Sequence, residues 1–364
     1  MRIVHVIEAF GGGTLNAVVL LANYQAQVGH QVIVVHSLRP DTPANYPELF
    51  STDVQLQQLM LPQGLAPHKD WAAANALRQV LTQVKPDLVH LHSSKAGAIG
   101  RLAAKGMAIP VIYSPHGFSF NRQDVPEWKR KLFWLMEATL GRLPCHIMAC
   151  SSDEARAASD FAPSTLIYNA VDISALTETA ATGRSAIKRG PGRPPLVIAM
   201  AGRITAARNP EGFSEVARQI LANRKDVAFY WLGDGDRESL DPAIHVTGWL
   251  SKADLLASLR NTDIYFHPST WDGLPFSILE AMSQAIPVVA SSVGGNKDAV
   301  AAPYTGYLAD SVASQVNRLQ ELLDDPTLRV HQGRAGQARV AARFSLATYF
   351  QQVDELYARV QKET

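Results

Sequence analysis

Ile264-Tyr265-Phe266, followed by Trp271-Asp272-Gly273-Leu274-Pro275-Phe276-Ser277-Ile278-Leu279-Glu280-Ala281-Met282, reads as a strand, a Gly/Pro turn and a helix. Such a turn aims a row of free backbone N–H groups, and the positive end of the helix dipole, at whatever lies above the sheet. Asp272 stands at the mouth of the turn, and Glu280 stands two turns further on. The amides suit phosphate and the carboxylates accept from hydroxyls. Together they fit a phosphorylated, hydroxyl-rich ligand such as a nucleotide sugar. A second reading of the same acids is that both merely stabilise a helix N-terminus.

Working outward, the same alternation fills the chain. Ile3–Ile7, Gln31–His36, Leu88–Leu91, Val111–Ser114 and His146–Ala149 read as strands. Leu15–Val28, Trp71–Val84, Ala96–Gly106, Glu127–Leu143 and Asp153–Phe161 read as the helices between them. A basic Gly/Pro stretch, Gly183–Pro195, interrupts and reads as a linker or surface loop. The alternation then restarts with strands Leu196–Ala201, Ala228–Leu232, Ile244–Thr247, Ile264–Phe266 and Val288–Ala290. Helices Glu211–Asn223, Lys252–Arg260 and Ile278–Gln284 lie between them, and amphipathic Leu346–Val360 closes the chain. Strands alternating with helices give parallel sheets covered on both faces, so the expected architecture is two doubly wound α/β domains. Ligands of such sheets bind outside the carboxyl ends of the strands, which places the expected site in a cleft between facing domains.

The 364 residues allow two domains with proper cores. A hydrophobic fraction of 47% and a charged fraction of 18% are those of a globular protein. The net charge of +1 gives no reason to expect nucleic acid as a partner. Cys145 and Cys150 cannot make a disulfide framework or a Cys-x-x-Cys site, and a reducing, cytosolic compartment is expected. The apolar run at Ile3–Ile7 is too short for a signal peptide, and no run approaches the ~20 residues that span a bilayer. Membrane contact would be peripheral, and Trp128-Lys129-Arg130-Lys131-Leu132-Phe133-Trp134 could make it as a basic, aromatic helix. Trp128, Leu132, Leu135 and Thr139 share a helical face, so core packing is the expected use of most of that pattern.

Other candidates sit where strands end. Gly11-Gly12-Gly13-Thr14 follows the first strand and is either a tight turn or an anion or acceptor contact. It fails as a dinucleotide fingerprint, because Asn16 replaces the third glycine and His36-Ser37-Leu38-Arg39 offers no acid for a ribose. His116, in Ser114-Pro115-His116-Gly117-Phe118, is either functional or satisfied by local backbone. His90 alternates with apolar residues and is expected to be structural, His92 ends the same strand, and Lys95 could face the cleft. Arg203 and Arg208 flank a short loop and suit a diphosphate, since guanidinium forks match phosphate oxygens.

In order along the chain, these pieces resemble the GT-B glycosyltransferases, specifically the retaining family 4. The resemblance rests on the glycine turn, His116-Gly117, Tyr168-Asn169-Ala170-Val171-Asp172, Gly202-Arg203, Leu232-Gly233-Asp234-Gly235, and the acid-x7-Glu motif running into Glu280-Ala281-Met282. It implies a GT-B fold with an acceptor-binding domain over 1–168, a crossover and linker over 169–195, and a nucleotide-sugar-binding domain over 196–344. A helix over 345–364 would pack back toward the first domain. Glu280 would bind the donor ribose and Asp272 the donor sugar. Arg203 and Arg208, with the amides around Phe276–Ile278 and so Phe276 and Ser277, would neutralise the diphosphate. His116 would contact the sugar or phosphate near the anomeric carbon, Trp249 and Leu250 the base, and Gly11, Gly12, Gly13 and Lys95 the acceptor or phosphate.

The resemblance further implies retention of anomeric configuration and domain closure over the donor, with no cofactor and no metal; the sequence has no convincing Asp-x-Asp site. Two positions depart from the commonest pattern: Asp272 stands where Glu is usual, and Arg208 where Lys is usual. The expected partners are a nucleotide-sugar donor, most simply a UDP-sugar, and a lipid-linked saccharide acceptor of surface polysaccharide assembly. The competing readings are a same-fold sugar-nucleotide epimerase and a non-catalytic glycan- or nucleotide-binding relative.

Overall fold

The computed structural model describes residues 1–39, 42–188 and 195–363. It divides into two compact units, Met1–Tyr168 with Tyr349–Thr364, and Asn169–Thr348.

In chain order the first unit holds β1 (Arg2–Ile7), α1 (Gly12–Gln27), β2 (Gln31–His36), β3 (Val54–Gln58), α2 (Pro67–Val84) and β4 (Leu88–His92). It continues with α3 (Ser93–Ala104), β5 (Val111–Ser114), α4 (Glu127–Leu140), β6 (His146–Ala149), α5 (Ser152–Ala158) and β7 (Ser164–Leu166). The strands form one parallel sheet of order β3-β2-β1-β4-β5-β6-β7. Its central strands are buried almost throughout, as in a sheet covered on both faces, and they carry His5, His90, His92 and Ser114 inside it. Leu15, Val18 and Ala22 of α1 pack with Val32 and Val34 in one core. Ala73 and Leu77 of α2 and Ile99 and Ala103 of α3 pack with Val89, Leu91 and Tyr113 in another. Strand order reverses at β1, which pairs with both β2 and β4, so the binding crevice of this sheet lies beyond Ile7 and His92.

The second unit holds α6 (Ile173–Thr182), β8 (Leu196–Ala201), α7 (Pro210–Asn223), β9 (Val227–Leu232), β10 (His245–Val246), α8 (Lys252–Leu259) and β11 (Ile264–His267). Then come α9 (Phe276–Ser283), β12 (Val288–Ala290), α10 (Asn296–Ala299), β13 (Gly306–Leu308), α11 (Val312–Asp324) and α12 (Pro326–Arg343). Its sheet is also parallel, of order β10-β9-β8-β11-β12-β13, and reverses between β8 and β11. Phe213, Val216 and Ile220 of α7 pack against Phe229, Trp231 and Phe266.

The last helix, α13 (Leu346–Glu363), adds Tyr349, Val353, Leu356, Tyr357 and Val360 to the buried set. Spacings of three and four residues put them on one face, and each contributes about 1.5–3 kcal/mol of apolar burial. Phe350 stacks on Tyr24 of α1 with ring centroids 3.7 Å apart. Tyr24 donates to Asp354 Oδ2 at 2.6 Å, and Arg359 donates to Thr165 at 2.6 Å.

Several local expectations change. β3, β7, β13 and α6 have no counterpart in the sequence reading, because β3 is half polar and β7 and β13 are three residues long. Only part of the Gly183–Pro195 loop falls within the described residues; 189–194 lie outside them. The described part is not a loose linker. Arg184 N–H donates to Asp254, Ala186 N–H donates to Ser258, and Ile187 is buried. The amphipathic reading of α4 is also corrected. Trp128 and Leu135 are 61% and 57% exposed, and Thr139 is exposed. The one buried residue of α4 is Glu137, which accepts from Arg101 Nη2 at 2.6 Å and Tyr113 OH at 2.8 Å. Beneath the helix lies this buried ion pair, flanked by Ala138 packed on the core and by Trp134 edge-on to Phe161. No helix among the described residues is long and apolar enough to cross a membrane.

Candidate functional site

The second unit gathers a charged cluster at the carboxyl edge of its sheet, on either side of the β8/β11 switch. Gly202 N–H donates to Leu232 O at 3.0 Å, and Ile204 N–H donates to Asp234 O at 2.9 Å, so the loops after β8 and β9 are laced together. This fixes Arg203, which is partly buried between them. Gly233 is required here, because a Cβ on it would stand 2.2 Å from the Gly202 carbonyl oxygen.

Arg208 is held by a second lacing. Asn209, in the left-handed region at φ 55°, caps α7 and donates to Pro268 O at 3.2 Å, while Thr270 N–H donates to Ala207 O at 2.9 Å. Arg208 Nη1 thereby meets Asp272 Oδ2 at 3.1 Å and His267 Nε2 at 3.3 Å. His267 closes β11 fully buried, and its Nε2 also meets Ser269 Oγ at 2.8 Å and Asp272 at 3.4 Å. Burial alone would push the Asp272 carboxyl up; the Arg208 charge, His267 and the Gly273 N–H outweigh it and hold it below the usual range. His267 is itself lowered, chiefly by burial.

Asp272 also depends on a loop the sequence reading passed over. Gly294 has φ 45°, and a Cβ there would stand 1.9 Å from the Asp272 carbonyl oxygen, while Gly295 N–H donates to Gly273 O at 2.5 Å. Past the turn, α9 starts after Pro275 with no side-chain cap and no acid in its first turn. The N–H groups of Phe276, Ser277 and Ile278 at that end are those an anion can use.

Glu280, 5% exposed in its side chain, faces out of α9 toward Lys252, whose Nζ forms an ion pair with its Oε1. Lys252 opens α8, directly after Gly248-Trp249-Leu250 and the Ser251 cap. Trp249 is 64% exposed there. Lys252 and His267 are the two members of this cluster that sequence reasoning missed. A histidine closing an apolar strand next to the motif was a usable signal for His267. Nothing local marks Lys252.

The first unit gathers a different cluster. Gly12, at φ 55°, opens α1, whose N-terminus has no side-chain cap and no acid in its first turn. A Cβ at Gly12 would meet nothing within 4 Å, so the space over this turn is open. The Lys95 ammonium is already engaged. Its Nζ pairs with Asp70 at 2.6 Å and donates to Gly64 O at 2.5 Å, bracing α3 against the first turn of α2 and the loop before it.

His116 follows β5 in the left-handed region at φ 54°, a conformation that persists only where the surroundings hold it. They do so through Glu154, buried at the start of α5, which accepts from Gly117 N–H at 2.7 Å and Cys150 N–H at 2.6 Å. Burial raises the Glu154 carboxyl above its ordinary value despite those bonds. The side chain of His116 is not satisfied by local backbone. Its Nε2 meets His92 Nδ1 at 3.1 Å, and burial pushes its pKa down to about 4. His90, buried, joins Tyr357 OH at 2.6 Å and Ser114 Oγ at 2.8 Å.

Two family profiles match the chain. The profile of Glycosyltransferase Family 4 matches residues 11–175, and that of Glycosyl transferases group 1 matches residues 185–339. The chain is a GT-B glycosyltransferase of the group 1 type. Among characterised relatives, this glycosyltransferase is 27% identical to the UDP-Gal:α-D-GlcNAc-diphosphoundecaprenol α-1,3-galactosyltransferase of Escherichia coli, over 79% of each chain. It is also 27% identical to a GDP-mannose-dependent α-mannosyltransferase of Mycolicibacterium smegmatis, over 85% of this chain and 84% of the relative. Its fold matches the solved sucrose-phosphate synthase of Thermosynechococcus elongatus with a TM-score of 0.83 at 17% identity, covering 100% of both chains.

Proposed function

We propose that this glycosyltransferase moves a sugar from a UDP-sugar onto a lipid-linked saccharide, with retention of configuration, in the building of a surface polysaccharide. One observation carries the donor reading. Arg203, the Arg208–Asp272 pair and the Glu280–Lys252 pair share a sheet edge with an uncapped helix N-terminus. A ligand that suits all of them carries a diphosphate for the cations and amides, and hydroxyls for the carboxylates. The name of the E. coli relative supports a UDP-sugar donor and a polyprenyl-diphosphate-linked acceptor. The mycobacterial relative uses GDP-mannose, so the base is the first thing to test.

In the proposed reaction the bond between the anomeric carbon and the diphosphate oxygen breaks, and the acceptor hydroxyl oxygen bonds to that carbon from the same face. The acceptor proton passes to the departing diphosphate. Arg203, Arg208 and the amides of Phe276, Ser277 and Ile278 stabilise the negative charge on the leaving group, a role that fixed cations and dipoles fill without a metal ion. Glu280 accepts from the ribose, Asp272 from the sugar, and Trp249 and Leu250 border the base. His116 contacts the sugar near the reacting carbon, and the open turn at Gly11, Gly12 and Gly13 borders the acceptor.

Access to a lipid-linked acceptor is supported by α4. Its exposed Trp128, Trp134 and Leu135 accompany Lys129, Arg130 and Lys131, a combination that suits the interface of an anionic bilayer. The test is a panel of UDP- and GDP-sugars, scored by thermal shift and by nucleotide release, with and without EDTA. The expected result is one UDP-sugar that stabilises the protein and is consumed in both conditions. A response confined to GDP-sugars, or dependence on a divalent cation, would overturn the corresponding part of the proposal.

A further inference from the structure

A continuous chain of side chains runs through the first unit to His116. Gln25 Oε1 meets His5 Nε2 at 2.7 Å, His5 Nδ1 meets His92 Nε2 at 2.9 Å, and His92 Nδ1 meets His116 Nε2 at 3.1 Å. Parallel register creates it: β1 and β4 set Ile7 beside His92 and His5 beside His90. Gln25, His5 and His92 are each 0–1% exposed. No position in this chain is near another in sequence, and of the four only His116 is not fully buried.

We infer that Gln25, His5 and His92 are positioning residues that fix the tautomer of His116, so that its Nδ1 presents a lone pair and takes a hydroxyl rather than a phosphate oxygen. A neutral imidazole has one N–H and one lone pair, so a ring that donates at one nitrogen must accept at the other. The amide oxygen of Gln25 can only accept. His5 therefore carries its proton on Nε2 and accepts at Nδ1. His92 then donates from Nε2 and accepts at Nδ1, and His116 donates from Nε2. The remaining nitrogen, His116 Nδ1, has no hydrogen-bond partner among the described residues and is a bare acceptor. A sugar hydroxyl can donate to it; a diphosphate oxygen cannot.

The chain requires neutral rings, and burial lowers the pKa of His5 to about 4, that of His116 to about 4, and that of His92 well below its ordinary value. His5, His90 and His92 also bring one nitrogen each within 4.8 Å of one another, a spacing that a metal ion could use. Both nitrogens of all three rings are already engaged: His5 by Gln25 and His92, His92 by His5 and His116, His90 by Tyr357 and Ser114. Side-chain hydrogen bonds, those of the wire for His5 and His92 and those to Tyr357 and Ser114 for His90, account for every one of them.

The tautomer assignment is independent of the reaction, whereas its kinetic consequence rests on the glycosyltransferase reading. Long-range proton–nitrogen NMR of the full-length, 15N-histidine-labelled protein reports which nitrogen of His116 is protonated, with no substrate present. The expected result is the Nε2–H form of His116 in the wild type and in Gln25→Glu, which keeps an acceptor oxygen. In Gln25→Met and His5→Phe, a mixture of both forms should appear. With a consumed donor, Gln25→Met should lower kcat roughly tenfold, the size of one misdirected hydrogen bond, with donor KM changed less than twofold. An Nδ1–H form of wild-type His116, a stoichiometric metal ion on the purified protein, or an unchanged tautomer in folded Gln25→Met would each overturn the inference. The correct tautomers with no donor consumed would leave it standing and count against the glycosyltransfer proposal instead.

Discussion

Arg208 Nη1 stands 3.1 Å from Asp272 Oδ2, so the cation proposed for the diphosphate and the carboxylate proposed for the sugar neutralise each other. Both side chains are about three-quarters covered, at 24% and 22% exposure. In the proposed reaction, a donor bound across them would place its phosphate and its sugar on two ends of one ion pair. Asp272, one methylene shorter than Glu, keeps that pair close, and Arg208 supplies a fork that a lysine could not.

Replacing Arg208 by Ala is expected to lower donor turnover by roughly 10²–10³-fold, the range seen when one preorganised donor to a developing oxyanion is lost. Arg208→Lys should recover only part of it, because the planar fork shared between Asp272 and the ligand is gone. Initial rates at saturating donor give the comparison. Full activity in Arg208→Lys would mean that charge alone is used.

Glu280→Ala removes the carboxylate proposed for the ribose and releases Lys252. Hydrogen bonds to a charged group are worth about 1.5–3 kcal/mol, so UDP affinity should fall roughly ten- to a hundredfold. Lys252 is 45% exposed and regains water, so the fold should persist. Calorimetric titration with UDP, beside circular dichroism, separates the two effects. Unchanged affinity would remove Glu280 from the ribose site.

Stability should fall as pH drops from about 6.5 toward 4. His5 is buried and neutral, with its pKa lowered by burial to about 4, so between those values the unfolded chain binds a proton that the folded protein refuses. Stability is therefore full above the unfolded value and declines by about 1.4 kcal/mol per pH unit for this histidine. His90 and His92, lowered in the same direction, add to the slope. Urea midpoints at pH 7.5, 6.0 and 5.0 measure it. A flat profile would mean that these rings are charged or open to water in the folded state.

Trp128 and Leu135 should carry membrane binding. Replacing both by Ser is expected to reduce co-sedimentation with anionic vesicles roughly tenfold or more, since each buried apolar side chain is worth about 1.5–3 kcal/mol. Their exposure predicts an unchanged melting temperature. Vesicle binding that survives the double substitution would assign the contact to another surface.

The two-sheet fold was legible because buried parallel strands read as near-continuous apolar runs, as Val32–Val35 and Val197–Ala201 are. The edge strand β3, Val54-Gln55-Leu56-Gln57-Gln58, was not, since half of it faces water. The turn around Asp272 and the arginines after β8 could be read from local pattern. Lys252 could not, because its relation to Glu280 arises only when α8 and α9 are set side by side. The wire from Gln25 to His116 depends on the pairing of β1 with β4, which no local spacing reveals. Periodicity likewise misassigned the face of α4, since the side that turns inward carries Glu137, paired with Arg101, while Trp128 and Leu135 face outward.

The most direct test of the central claim is the product. The purified protein is incubated with the UDP-sugar it consumes and an undecaprenyl-diphosphate-linked saccharide, and the anomeric configuration of the glycolipid is read by NMR. The expected product carries a new glycosidic bond with the same configuration as the donor, with one UDP released per sugar transferred. An inverted linkage would contradict retention. An epimerised nucleotide sugar, or no new glycolipid from any nucleotide sugar, would contradict glycosyl transfer to this class of acceptor.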